Sequence, residues 1–430
     1  MPQSRTWHNW SGGQHATPSA LLHPDDEDTL RDIVRRASNL RVTGAGHSFP
    51  PLVPTDGAIV NLDRLSGVID HNQAQCTARM WAGTRLYDAG PALHAIGQGM
   101  PNLGDIDQQS LAGVLGTATH GTGITLPCIA AGVTGLRMIT AAGDVVECSR
   151  EKNADLFKAA AVSLGALGVI TQVTLQNVAA YRLREKVHVE VLDDLLPHID
   201  ALARQHLHFE LWAFPHSRMA IVKTLDATND PPTNAKYGAD SDDAALWIGC
   251  ELMRLLPPAG RGMQKLLKQF IKPSERVNWS HHIYASKRNV RFNEMEYQVP
   301  AAQGAPCLDE ICHTFARDKS RVFIPVEFRF VAADDLWLSP FHGQADDARC
   351  AISIHQYHKQ DYRPLFALAE PILQRHDGRP HWGKLHALKA DRLRALYPHF
   401  DDFLALRRKL DPHGKFLNRH LCDLFGVTAA

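Results

Sequence analysis

The chain reads as an α+β protein of two domains, and three features carry that reading. Short strand-like runs alternate with helical ones through the first 180 residues, and a long glycine-rich loop at 97–123 breaks the alternation. From about residue 183 the pattern changes to a β-α-β-β order, which suggests a sheet backed on one side by helices. At 430 residues the chain also exceeds what one hydrophobic core holds and fits two domains.

Residues 27–38 carry apolar side chains at helical spacing, with Asp25 or Asp26 as the N-cap. Strands fit 40–44, 57–62 and 77–83, and a helix fits 86–97. The turn Ala141-Ala-Gly-Asp144 joins a hairpin of 136–140 and 145–148. A helical run begins at Leu156, and Gly165-Ala-Leu-Gly168 leads into a strand at 169–175. In the second part, 187–191 alternates as a half-buried strand, 193–205 reads as a helix, and 207–213 and 218–224 as strands. Residues 225–245, rich in Asp, Asn, Pro and Gly, read as a loop or mobile lid. Helices fit 245–256 and 260–271, strands 321–331 and 350–357, and helices 363–375 and 391–410.

Two glycine-rich stretches carry the chemistry. In Arg41-Val-Thr-Gly-Ala-Gly-His-Ser-Phe49 a strand runs into Gly44 and Gly46, which allow a sharp turn and close approach to a ligand, and His47 stands on its lip. A Rossmann loop would continue into a helix, but Pro50, Pro51 and Pro54 forbid one here. A G-x-G after a strand is by itself a weak signal. The 97–123 loop adds seven glycines with Thr117, Thr119, His120 and Thr122, a supply of unencumbered backbone N–H groups of the kind that cradle pyrophosphate. A polar surface loop is the plainer reading, although Leu103, Ile106, Leu111, Val114 and Leu115 argue against disorder.

Composition narrows the partners. Forty-six basic residues balance 46 acidic ones, so no net field favours nucleic acid or an anionic membrane. No apolar run is long enough to span a bilayer, and the N-terminus lacks the apolar core of a signal peptide, so a cytoplasmic protein is expected. The eight cysteines include no C-x-x-C pair, which leaves free, mostly buried thiols as the default. His355-Gln-Tyr-His358 has the look of a metal pair, but residues three apart on a strand face opposite ways, and no metal is expected.

Taken together, the R-V-x-G-x-G-H-S-F turn, the P-N-L-G…S-L-A-G…G-T-x-T-H-G-T-G loop and the S-L-G-A-L-G-V-I-T segment resemble the FAD domain of the vanillyl-alcohol-oxidase superfamily. Glu-Phe-Arg at 327–329, Arg-Pro-His-Trp-Gly-Lys at 379–384 and Asp-Pro-His-Gly-Lys-Phe-Leu-Asn at 411–418 resemble its sugar-1,4-lactone and alditol oxidases. The resemblance implies a two-subdomain (PCMH-type) FAD-binding domain at 1–180 and an inserted α+β cap at 181–410 carrying a helix-backed mixed or antiparallel sheet. A return to the FAD domain is implied at 411–430. It implies FAD joined covalently to His47. No cysteine in the loop matches a second link, so a single link is expected. Contacts to FAD are implied for Arg41, Gly44, Ala45, Gly46, Ser48, Phe49, Ser110, Gly113, Gly116, Thr117, Thr119, His120, Gly121, Gly168 and Ile170.

Glu327 and Arg329 share one strand face, with Val326, Phe328 and Phe330 on the other. From the residues alone an exposed ion pair worth under about 1 kcal/mol is the simpler reading. The resemblance reverses it and sets Glu327 on substrate hydroxyls and Arg329 on developing negative charge. Lys384 resembles the other active-site cation, and His355 matches a strand position that faces substrate. Either could assist proton removal, and the base is not assigned. Two departures stand out. Asp105 replaces a Ser that touches substrate, and Tyr357 replaces a Thr two residues past His355, where it would narrow the pocket or stack on a sugar. The implied activity is oxidation of a sugar lactone or polyol, with dioxygen or another acceptor reoxidising the flavin and small residues at Ala82-Gly83 near its passage. The rivals are a non-catalytic member and one acting on a lipid-linked sugar. The latter predicts a basic or apolar surface loop, which 225–245 does not supply.

Overall fold

The computed structural model describes residues 6–233, 240–266, 271–285 and 289–428. Helix Glu27–Arg36 buries Leu30 and Val34, and Asp26 caps it by accepting from the Thr29 amide at 2.7 Å. Glu27 and Asp28 in its first turn and Arg35 and Arg36 in its last both complement the helix dipole. Strands Ala20–Leu22, Ala58–Asn61 and Leu40–Thr43 form a small parallel sheet with Ala58–Asn61 in the middle. An antiparallel sheet of five strands follows, ordered Val145–Ser149, Val133–Ile139, Val169–Gln176, Thr77–Trp81 and Val68–Asn72.

The second half is built on eight antiparallel strands. Their order is Ser274–Trp279, Arg182–Val191, Met219–Thr228, His208–Phe214, Val326–Val331, Arg349–Tyr357, Phe292–Pro300 and Arg379–Pro380. Helix Ala301–Asp318 backs the face carrying Phe328 and Cys350. Gly304 permits the close approach, since a Cβ there would lie 2.9 Å from Cys350 Cβ and 3.0 Å from Phe328. The opposite face carries Glu327, Arg329, Ser353 and His355 toward a cavity. After residue 411 the chain returns to the first sheet: the Leu40 amide donates to Lys415 O, and Asn418 Nδ2 donates to the carbonyls of Pro51 and Pro54. No described helix is long and apolar enough to cross a membrane.

Several elements differ from expectation. The loop at 97–123 contains the short helix Leu111–Gly116, whose six residues are too few to show a period. The helix read over 193–205 is Leu192–Leu195 and Ile199–Gln205 with a 3-10 turn at Leu196–His198, where Pro197 removes a backbone donor. The single helix read over 391–410 is two, Ala390–Leu396 and Phe400–Leu410, broken at Pro398. Residues 225–228 finish the strand Met219–Thr228, and residue 240 opens the helix Asp240–Leu255, so most of the described residues of the supposed lid are regular structure. Its residues 234–239, like 267–270 of the helix read over 260–271, lie outside the described residues. Helix Pro257–Lys265 covers the rest of that span. The sequence reading missed the strands Trp7–His8, His15–Ala16, Ala20–Leu22, Val68–Asn72, Ser274–Trp279 and Phe292–Pro300, and the helix Ala301–Asp318.

Candidate active site

The Gly44–Ser48 turn leaves strand Leu40–Thr43 with Gly46 at φ +69°, a backbone conformation that favours glycine. A Cβ on Gly44 would strike Ser110 Oγ at 2.2 Å, so this turn and the start of helix Leu111–Gly116 touch backbone to side chain. The amides of Ala45, Gly46 and His47 donate to no acceptor among the described residues. Unpaired N–H groups in a row on a cavity wall suit an anionic ligand. The His47 ring stacks on Trp10, 5.4 Å between centroids at 23°, and makes no hydrogen bond to a described residue. Burial, with Lys384 and Arg85 adding positive potential, holds the imidazole down at about 4, so it is neutral at physiological pH.

These residues line one side of a cavity of about 1620 Å³. It is larger than a single small-molecule site and has room for a dinucleotide with a substrate. Ser48, Ser110, Gly113, Gly116, Thr117, Thr119, His120, Gly168 and Ile170 line the cavity with them, as do Glu327, Arg329, His355, Lys384 and Asp105. Among the expected site residues, Phe49, Gly121 and Tyr357 do not reach the wall. Phe49 packs in a small core against Phe292 and Trp10. A Cβ on Gly121 would meet Asn102 Oδ1 at 2.2 Å and Leu103 O at 2.3 Å, so its glycine serves packing. Tyr357 is buried in the same core as Phe49 with its hydroxyl donating to Glu251 Oε1 at 2.8 Å; it neither narrows the cavity nor stacks there.

Arg41 borders the cavity, but its guanidinium is spent on structure. It donates to Leu52 O (2.8 Å), Leu164 O (2.7 Å), Gly165 O (3.1 Å) and Phe416 O (2.5 Å), tying three distant loops together. His120 is likewise committed, with Nε2 2.7 Å from Glu296 Oε1 and Nδ1 2.8 Å from Gly121 O. Ala82 and Gly83 do line the cavity, yet Gly83 has a packing reason, because a Cβ would lie 1.8 Å from Leu62 O.

The polar centre is denser than a lone ion pair. Arg329 Nη2 lies 3.3 Å from Glu327 Oε2 and 3.5 Å from Glu296 Oε2, while its Nε is buried without a partner among the described residues. At 6–7 % exposure Glu327 and Arg329 are interior groups, so the exposed ion pair is excluded. Glu294 pairs with Lys384 and sits 3.4 Å from His355 Nε2. Burial pushes Glu294 up, but Lys384 and then His355 outweigh it and hold the carboxyl down at about 2. Burial also opposes ionisation of Glu296, and His120 and His381 override it, well below the usual range. His355 Nδ1 donates to Pro325 O at 3.3 Å, which leaves Nε2 as the nitrogen turned to the cavity; His358 is exposed and bonds Arg291 O instead.

Three sets of side chains bring potential metal-ligating atoms within 4.8 Å of one another: His120/Glu296/His381, Glu294/Glu327/His355 and Asp105/Glu210/Glu327. Their carboxylates already face Arg329, Lys384 or Lys223.

Glu294, Glu296, His381, Glu210, Lys223 and Trp10 went unread in the sequence. Phe292-Asn-Glu-Met-Glu-Tyr-Gln298 did carry a signal, a period-2 alternation that puts Glu294, Glu296 and Gln298 on one face, but such a face usually meets water. Trp10 carried none.

Residues 18–149 match the family described as FAD binding domain, and residues 173–424 match the family described as D-arabinono-1,4-lactone oxidase. An L-gulono-1,4-lactone dehydrogenase from Mycobacterium tuberculosis is 34% identical over 98% of this chain and 100% of its own. An alditol oxidase from a Streptomyces species is 31% identical over 97% of this chain and 98% of its own. A crystal structure of cholesterol oxidase from Brevibacterium sterolicum has the same fold, with TM-score 0.82 over 98% of this chain at 16% identity. The fold, the row of free amides and these relatives define an FAD-linked oxidoreductase. Within that class, the chain belongs to the D-arabinono-1,4-lactone oxidase family.

Proposed function

We propose that the protein oxidises a hydroxyl-bearing carbon of a sugar-1,4-lactone or an alditol, with FAD tethered through His47 and dioxygen or another acceptor taking the electrons on. The observation that carries this is Arg329, a buried cation on the cavity wall, 3.3 Å from Glu327 and grouped there with His355 and Lys384. Charged donors and acceptors grouped on one wall suit a polyhydroxyl ligand, whose hydroxyls both donate and accept.

Bound FAD supplies the acceptor for the hydride that leaves carbon. The Gly44–Ser48 turn with Ser110, Gly113, Gly116, Thr117, Thr119, Gly168 and Ile170 would hold it, because its free amides and missing Cβ atoms leave a backbone surface for a pyrophosphate. His47, neutral and free of hydrogen bonds, is suited to act as the nucleophile of the tether. Glu327 accepts from a substrate hydroxyl. Arg329 stabilises negative charge as the O–H bond weakens. His355 Nε2 takes the proton, with Glu294 3.4 Å away to stabilise the imidazolium, because the Lys384 ammonium bound to Glu294 has no lone pair to accept it.

The division at 180 and 410 belongs to the same reading and is supported by the hydrogen bonds from 415–418 to the first sheet. Eight free thiols fit a reducing compartment such as the cytoplasm. The test is visible absorbance before and after acid precipitation, followed by turnover of Glu327→Gln. Colour should stay with the pellet, and the variant should lose at least about tenfold in turnover. Colour released to the supernatant would remove the tether, and wild-type turnover in the variant would remove Glu327 from the site.

A further inference from the structure

The cavity does not end at Glu327 and Arg329. Its wall crosses the cap sheet from Val326–Val331 through His208–Phe214, Met219–Thr228 and Arg182–Val191 to Ser274–Trp279. That is four strand spacings, about 19 Å, much longer than a six-carbon chain. Register builds this extension. Arg329 lies opposite Glu210, and Glu210 opposite Lys223; one step along, Glu327 lies opposite Trp212, and Trp212 opposite Ile221. Period 2 sets all six on one face; five of them line the cavity, and Glu210 borders a smaller recess beside Lys223.

The side chains there are polar, buried and closely grouped. Lys223 Nζ is 2.7 Å from Glu210 Oε1, 3.6 Å from Asp105 Oδ1 and 5.6 Å from the centre of the Trp212 ring. The residue that departs from the subgroup pattern, Asp105, thus sits beside a lysine and a second carboxylate rather than alone. A recess of about 10 Å³ is shared by Asp105, Glu210, Lys223 and Asn102, and Asn102 Nδ2, on a residue 5 % exposed, has no partner among the described residues.

We propose that Asp105, Glu210, Lys223 and Trp212 form a second sugar subsite, so that the protein accepts a lactone or alditol bearing a further glycosyl unit; this rests on the reading of the reacting end given above. Interior charges cost free energy unless hydrogen-bonding partners meet them. Sugar hydroxyls donate to Asp105 and accept from Lys223, and the C–H face of a pyranose packs on an indole. Burial and then Asp105 push the Glu210 carboxyl up to about 7 against the pull of Lys223. Leu246, Leu252 and Met263 line the same cavity and add apolar surface.

The test compares substrates differing by one glucosyl unit on the FAD-loaded protein: D-glucitol against maltitol, and D-glucono-1,4-lactone against its 6-O-glucosyl derivative. The glycosylated member should have a kcat/KM at least equal to its parent. Ile221→Trp, which fills the channel beside Trp212, should lower kcat/KM for the glycosylated member by about tenfold or more, through KM, and leave the parent unchanged. Turnover of a parent with none of its glucosyl derivative, or an Ile221→Trp effect equal on both, overturns the subsite. If no single-unit lactone or alditol is turned over, the reading of the reacting end fails and the subsite falls with it. Tryptophan fluorescence of wild type titrated with maltitol gives a check free of any variant: saturable quenching, absent in Trp212→Phe, is expected, and no change on titration counts against the subsite.

Discussion

Arg329 is the side chain on which most of the site turns. Its fork reaches Glu327 and Glu296 with one nitrogen, and its Nε is buried without a partner among the described residues. Truncating it would leave two buried carboxylates without their counter-charge, so a loss of activity in Arg329→Met would be mixed with a loss of stability. Arg329→Lys keeps the charge and removes the planar fork. It should lower turnover by about 10²-fold while the melting temperature stays near that of wild type; an active Arg329→Lys would show that charge alone suffices. His47 makes a separate prediction. His47→Ala should bind flavin that is released on acid precipitation, and flavin still fixed in that variant would move the tether elsewhere. At this scale the sequence was informative where a residue type is unusual for its position. Glu327-Phe-Arg329 and the glycines around His47 could be read. Arg41 could not, because its four carbonyl partners come from residues 52, 164, 165 and 416, and nothing local distinguishes a brace from a ligand contact.

Between elements, Arg41 ties the first parallel sheet to the Leu164–Gly165 turn and to the C-terminal segment. Arg41→Ala would strand those carbonyls in the interior and should cost about 3 kcal/mol or more in denaturant unfolding, with Arg41→Lys rescuing little of it. An unchanged midpoint in Arg41→Ala would mean that water replaces the guanidinium. Strands and helices with clean periodicity, such as Glu27–Arg36, Val169–Gln176 and Arg363–Arg375, were legible to within a few residues. Phe292–Pro300 was not, because its inward face carries Glu294, Glu296 and Gln298, the pattern of a solvated strand. The helix at Leu111–Gly116 hid inside a glycine-rich stretch for a different reason. It is held by its neighbours, as Leu111 N donates to Thr84 O and Ala112 N to Ala82 O, rather than by its own propensity.

Over the whole molecule, balanced charge conceals a strongly ionised interior and a set of histidines kept neutral by burial. His47, His208 and His420 are held at about 4, and His381 and His386 at about 3, desolvation being the largest cause in each. Unfolded, each would titrate near 6.5. As pH falls from about 6.5 toward 4 the unfolded chain therefore binds protons that the folded one does not, and stability declines through that window. The melting temperature should fall by several degrees or more between pH 7.5 and 5.5; a flat profile would mean that these imidazoles are paired or wet. The strand order of the cap lies beyond sequence reading for a related reason of range. Val326–Val331 pairs with His208–Phe214 more than a hundred residues away, and only that register brings Glu327 beside Trp212 and Arg329 beside Glu210.

The central claim is that a polyhydroxyl substrate gives its hydride up at the Glu327–Arg329–His355 face of this cavity. Anaerobic mixing of the purified protein with a panel of sugar lactones and alditols, following the visible flavin band, tests it most directly. Bleaching by at least one of them, slowed about 10²-fold in Arg329→Lys, is the predicted result. A flavin-loaded protein whose band is left unchanged by the whole panel, or bleached equally fast in the variant, would contradict it.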